Sequence, residues 1–123
     1  MKTSLATMPP IKSACNTAFA ASLVLSAAPC SVLHCHASIK HDAPNAVYYL
    51  QLIDSPAPVN GGGAITLIAV KEVNHKQGDT TVVEFDLPLF GVRCATGCVM
   101  QLSTTVGTGT LDGLNMLAYG TYI

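Results

Sequence analysis

The stretch TTVVEFDL, Thr80 to Leu87, alternates apolar and polar side chains at a period of two. Successive side chains of an extended chain point to opposite faces. Val83, Phe85 and Leu87 therefore fall on one face, and Glu84 and Asp86 on the other. This is the pattern of a strand with one face on a core and the other in water. Pro88 ends the strand or marks a sheet edge, because it has no N–H to give to a ladder.

The neighbouring segments read the same way. AVYYLQLI (residues 46–53) is aromatic and β-branched, and AITLIAVK (residues 64–71) is an apolar run suited to a strand covered on both faces. Between them, DSPAPVNGGG (residues 54–63) is a loop, since prolines and consecutive glycines do not fit inside an element. NHKQGD (residues 74–79) is a polar turn. LFGVR (residues 89–93) and CVMQLSTTV (residues 98–106) flank an ATG turn and read as a hairpin. GTGTLDG (residues 107–113) is a second loop, and LNMLAYGTYI (residues 114–123) is a closing strand with Leu117, Tyr119, Thr121 and Ile123 on one face. The nearest approach to helical patterning is residues 110–118, where Asp112 is placed to cap a short turn. Strands at roughly 8–12-residue spacing predict a mainly β fold, a small antiparallel β-sandwich or barrel of about five or six strands.

Half of the 123 residues are apolar and 11% are charged, which suits one packed domain and excludes a disordered polyelectrolyte. The charge is uneven. Lys2 and Lys12 lie near the start, no charged residue occurs from 13 to 39, and all seven acidic residues lie at or after Asp42. With the apolar run AFAASLVLSAA (residues 18–28) and small residues up to Ala37, this is the layout of a secretory signal: residues 1–37 as signal peptide, cut between Ala37 and Ser38. Residues 38–45 then form a flexible lead-in, and residues 46–123 a single β-rich domain, secreted or periplasmic. Met8 is an alternative start. A retained span over residues 14–33 is long enough to cross a bilayer but contains Asn16 and Pro29. Neither Cys30, after Pro29, nor Cys35, after His34, has the small preceding residue that lipid attachment needs. A mitochondrial presequence would be Arg-rich, and the first Arg is Arg93.

Cleavage after Ala37 removes Cys15, Cys30 and Cys35 and leaves Cys94 and Cys98, an even number. In an oxidising compartment these two are expected as a local disulfide closing the ATG turn, with Gly97 supplying a positive φ. The dense stretch VLHCHASIKHD (residues 32–42) then reads as the border of the mature chain, with no metal or cofactor expected. If the N-terminus is retained, His34, Cys35 and His36 become a candidate soft-metal site.

Glu84 and Asp86, at i and i+2 on a strand, stand about 7 Å apart. With His75 they would be the carboxylates and base of a small hydrolase; as a bland alternative they are simply a wet strand face and a solvated turn. No nucleophile-elbow, zinc-protease or phosphate-loop pattern occurs. Residues 38–123 carry four basic residues (Lys40, Lys71, Lys76, Arg93) against seven acidic ones, a net charge of −3, which disfavours nucleic acid and anionic membrane surfaces. The expectation is a non-enzymatic binding module for a protein or small molecule, without a stable membrane span. It would use loops 54–63 (Asn60, Gly61, Gly62, Gly63) and 107–113, the Glu84–Asp86 face, or a free sheet edge.

The terminal LAYGTYI, with Tyr122 in penultimate position and Gly109 about a strand length earlier, resembles the C-terminal strand of chaperone–usher pilins. The resemblance covers some fifteen residues. It implies, as an alternative, a structural subunit of a surface fibre assembled by strand exchange.

Overall fold

The computed structural model describes residues 10–111 and 113–123. The start residues Lys2 and Met8, and the capping candidate Asp112, lie outside the described residues. Among those described there are eleven strands and no helix: β1 (Lys12–Cys15), β2 (Ser22–Ser26), β3 (Cys30–Ile39), β4 (Ala46–Asp54), β5 (Gly63–Ala64), β6 (Leu67–His75), β7 (Thr81–Glu84), β8 (Val92–Cys94), β9 (Cys98–Ser103), β10 (Thr108–Gly109) and β11 (Met116–Tyr122).

All pairings are antiparallel. One sheet runs β1–β11–β3–β7, with β8 also paired to β3; the other runs β2–β9–β4–β6, and β5 pairs with β10 as a short ribbon. The two large sheets pack face to face as a small β-sandwich and do not close into a barrel. Tyr48, Leu50, Leu52, Met100 and Leu102 from one sheet meet Val32, Cys35, Ala37, Ile39, Met116 and Ala118 from the other in one buried cluster. Each fully buried large side chain of this set contributes on the order of 1.5–3 kcal/mol. Strand β7 ends at Glu84, short of the expected Leu87, but the alternation runs on past it: Val83 and Phe85 are buried, while Glu84 and Asp86 face solvent.

The N-terminal third differs most from the sequence reading. Residues expected to leave as a signal carry β1, β2 and all of β3 except Ser38 and Ile39, and β3 lies between β11 and β7. Residues 38–45 are no loose lead-in. They finish β3 and make a tied turn, with Ala43 buried, Gly78 N–H donating to the His41 carbonyl, and Gln77 N–H donating to Asn45 Oδ1. Strands β1–β3 thus pack in the same sandwich as the strands after residue 46. The reason is chemical: a run of Ala, Leu and Val without charge suits a signal and a core-facing strand equally, and Leu25 is buried in the sandwich.

Two strands also change place. The apolar run at residues 64–71 suits a strand covered on both faces, yet β6 is an edge strand with Leu67 exposed. The strands covered on both faces are β4 and β9; every residue of β9 is buried. Nor do β8 and β9 form a hairpin: β8 pairs with β3 in one sheet and β9 with β4 and β2 in the other. The turn between them carries the chain from sheet to sheet.

Candidate functional site

That sheet-switching turn is held by a carboxylate. Asp54, at the end of β4, accepts hydrogen bonds from Ala95 N–H (2.8 Å), Thr96 N–H (2.9 Å) and the Thr96 hydroxyl (2.9 Å). Donation by these amides holds its carboxyl below the usual range. Gly97 serves close approach rather than positive φ: a Cβ there would meet Ser26 O at 2.7 Å and Ser55 O at 2.8 Å.

The cysteines differ from expectation. All five are free thiols in this structure, so Cys94 and Cys98 form no disulfide, and only Cys15 is exposed. Cys30 faces Cys94 in register across β3 and β8, so a third thiol joins the pair. Burial pushes Cys94 up to about 11 and Cys35 up to about 12, and raises Cys30 and Cys98 as well. Such thiols are poor nucleophiles.

The two loops that the sequence offered as separate binding elements are clasped to each other. β5 pairs with β10, Gly62 N–H donates to the Gly109 carbonyl, and Asn60 Oδ1 accepts from both Gly61 N–H and Leu111 N–H. The clasp covers the outer face of β4 and β9, where Gln51, Ile53, Val99, Gln101 and Ser103 have no exposed surface. A side chain at Gly109 would collide with the Val59 carbonyl. Gly61 and Gly62 remain exposed, with φ of 70° and 80° that glycine adopts without strain.

Glu84, Asp86 and His75 are not brought together. His75 is 1% exposed and turns into the protein, its Nδ1 2.9 Å from the Thr81 hydroxyl across the sheets. Glu84 faces solvent beside His34, and Asp86 lies 4.0 Å from Lys71. β11 has neighbours on both sides, β1 and β3, so it is already a paired interior strand. No helix among the described residues is long and apolar enough to cross a membrane.

Beyond the sequence reading, the structure exposes one apolar turn, and it divides the His34–Cys35–His36 candidate, with Cys35 buried on the inner face. Leu89 and Phe90 are 89% and 88% exposed, at a turn closed by Gly91 N–H donating to the Pro88 carbonyl. His34 and His36 share the outer face of β3. The signal for the turn was present: two large apolar residues directly after a strand-ending proline.

Together these elements define a small two-layer antiparallel β-sandwich with clasped loops and one protruding apolar turn. No protein-family profile, curated protein or solved structure matches the chain.

Proposed function

We propose that the chain is a non-enzymatic interaction module whose contact element is the turn at residues 86–91, which places Leu89 and Phe90 in an apolar pocket of a protein partner. The observation that carries this reading is the exposure of these two adjacent side chains on a hydrogen-bonded turn. Scattered exposed apolar residues are ordinary, but a paired Leu–Phe at a tip is a ready anchor. Burying both would supply roughly 3–6 kcal/mol before association costs. Glu84 and Asp86 stand beside the turn, so the matching pocket has a basic rim. The turn is anchored at both ends, by β7 and β8 on β3. The strand-exchange alternative has less support, since β11 is paired on both edges.

The test is site-specific photocrosslinking from position 90 in cells, followed by calorimetry with the purified adduct partner. The expected result is a saturable adduct with another protein and at least a tenfold loss of affinity for Leu89→Ser/Phe90→Ser. Equal affinity of that variant and the parent, or an adduct only with a second copy of this chain, overturns the reading.

A further inference from the structure

We propose that His34 and His36 form a two-imidazole site for a divalent transition-metal cation of the zinc, copper or nickel type. A register shift in the β3–β11 pairing starts the argument: Thr121 pairs with His34 but Tyr122 pairs with Val32, so Leu33 is an extra residue in β3. This bulge changes the alternation of the strand. Cys30 and Val32 point inward before it, and Cys35, Ala37 and Ile39 after it, which leaves His34 and His36 side by side on the outer face. Cys35 is fully buried on the opposite face and takes no part.

His34 Nε2 lies 3.3 Å from His36 Nδ1. Two nitrogens bound to one tetrahedral cation at 2.0–2.1 Å stand roughly 3.4 Å apart, so the two rings already have the bite a cation needs. The other face of each ring is supported. Glu84, the cross-strand partner of His36, brings Oε1 to 3.5 Å from His34 Nδ1, the ring nitrogen not turned to His36, where a carboxylate orients a metal-binding imidazole and raises its basicity. Tyr119 packs on the His36 ring with centroids 5.3 Å apart. Among the described residues no three His, Cys, Asp or Glu side chains converge on one point. The cation would therefore take two protein nitrogens and complete its shell with water, which the partial exposure of His34 permits. Imidazole ligands select zinc, copper and nickel over magnesium or calcium.

The experiment is zinc titration calorimetry on the full chain in a Cys15→Ser background, because the exposed Cys15 is the one accessible thiol that competes. Copper(II) electron paramagnetic resonance on the same protein reads the ligand nitrogens. The expected result is one zinc per chain, two-nitrogen hyperfine structure with copper, at least tenfold weaker binding for His36→Ala, and about tenfold weaker binding for Glu84→Gln. Unfolding midpoints of the variants verify that the fold is retained. Binding unchanged in His34→Ala/His36→Ala, or no zinc binding by the parent at millimolar metal, overturns the site and shows the ring contact to be only a hydrogen bond between imidazoles.

Discussion

Gln101 Nε2 donates to Gln51 Oε1 at 2.8 Å, and both side chains are without exposed surface. This amide pair joins two loops far apart in sequence. Gln51 Nε2 lies within hydrogen-bond distance of the carbonyls of Thr105 (2.9 Å), Val106 (3.2 Å) and Thr108 (2.9 Å). Gln101 meets Val59 on both backbone groups, accepting from its N–H and donating to its carbonyl. Replacing Gln51 by Leu takes the side-chain donor from the Thr105 and Val106 carbonyls and the acceptor Oε1 from the buried Gln101 amide, while the Thr108 carbonyl keeps the Ser103 and Thr105 hydroxyls, at about 1–3 kcal/mol per buried group left unsatisfied. Gln51→Leu is expected to lower unfolding stability by about 3 kcal/mol in urea titration. Amide exchange should rise at residues 104–110 before it rises in the core strands; uniform acceleration across the chain would show that the pair does not act on the loops in particular.

A chain of residues 38–123 lacks β1, β2 and nearly all of β3, and so exposes β11 and β7 as unpaired strands and removes Val32, Cys35 and Ala37 from the core. It is expected to show no cooperative thermal transition and poor amide dispersion in NMR spectra, whereas residues 10–123 fold cooperatively. A well-folded 38–123 chain would mean that the sandwich does not depend on its N-terminal strands.

Asp54 links stability to pH. Its folded pKa is lowered by the Ala95 and Thr96 amides, so its contribution is fully present above the unfolded value of about 3.9 and is lost as pH falls through the lower folded value. Stability from this group should be flat above about pH 5 and decline toward pH 3. Asp54→Asn should cost about 1 kcal/mol at pH 7, the worth of an exposed charge-assisted cap, and make the acid limb shallower. An unchanged acid limb in this variant would assign the sensitivity to other carboxylates.

Thiol chemistry reads the burial of the cysteines directly. At pH 8 the native protein is expected to release one fast equivalent with a disulfide reagent, from Cys15, while the four buried thiols react only after unfolding. Cys15→Ser should abolish the fast phase. A second fast equivalent would mean that the turn around Cys94 and Cys98 opens readily.

The sequence alone determined the class of fold. Period-two alternation at residues 80–87 and the aromatic, β-branched run at 46–53 follow from strand geometry, which acts residue by residue and needs no partner; the second stands as β4 and the first as the shorter β7, Thr81–Glu84, with Val83 and Phe85 inward and Glu84 and Asp86 outward. The tertiary structure alone decided where strands pair and which faces are covered. No local pattern separates a hairpin at Cys94–Cys98 from a turn that changes sheets, because both need a short polar link between apolar runs. Likewise an uncharged apolar segment at residues 18–28 has the same composition whether it is a signal or a strand. The His34–His36 pairing depends on a one-residue bulge in β3, set by register against β11, and the clasp of the two glycine-rich loops depends on Gln51 and Gln101 meeting across two strands. These are relations between distant residues, fixed by the packing of two sheets.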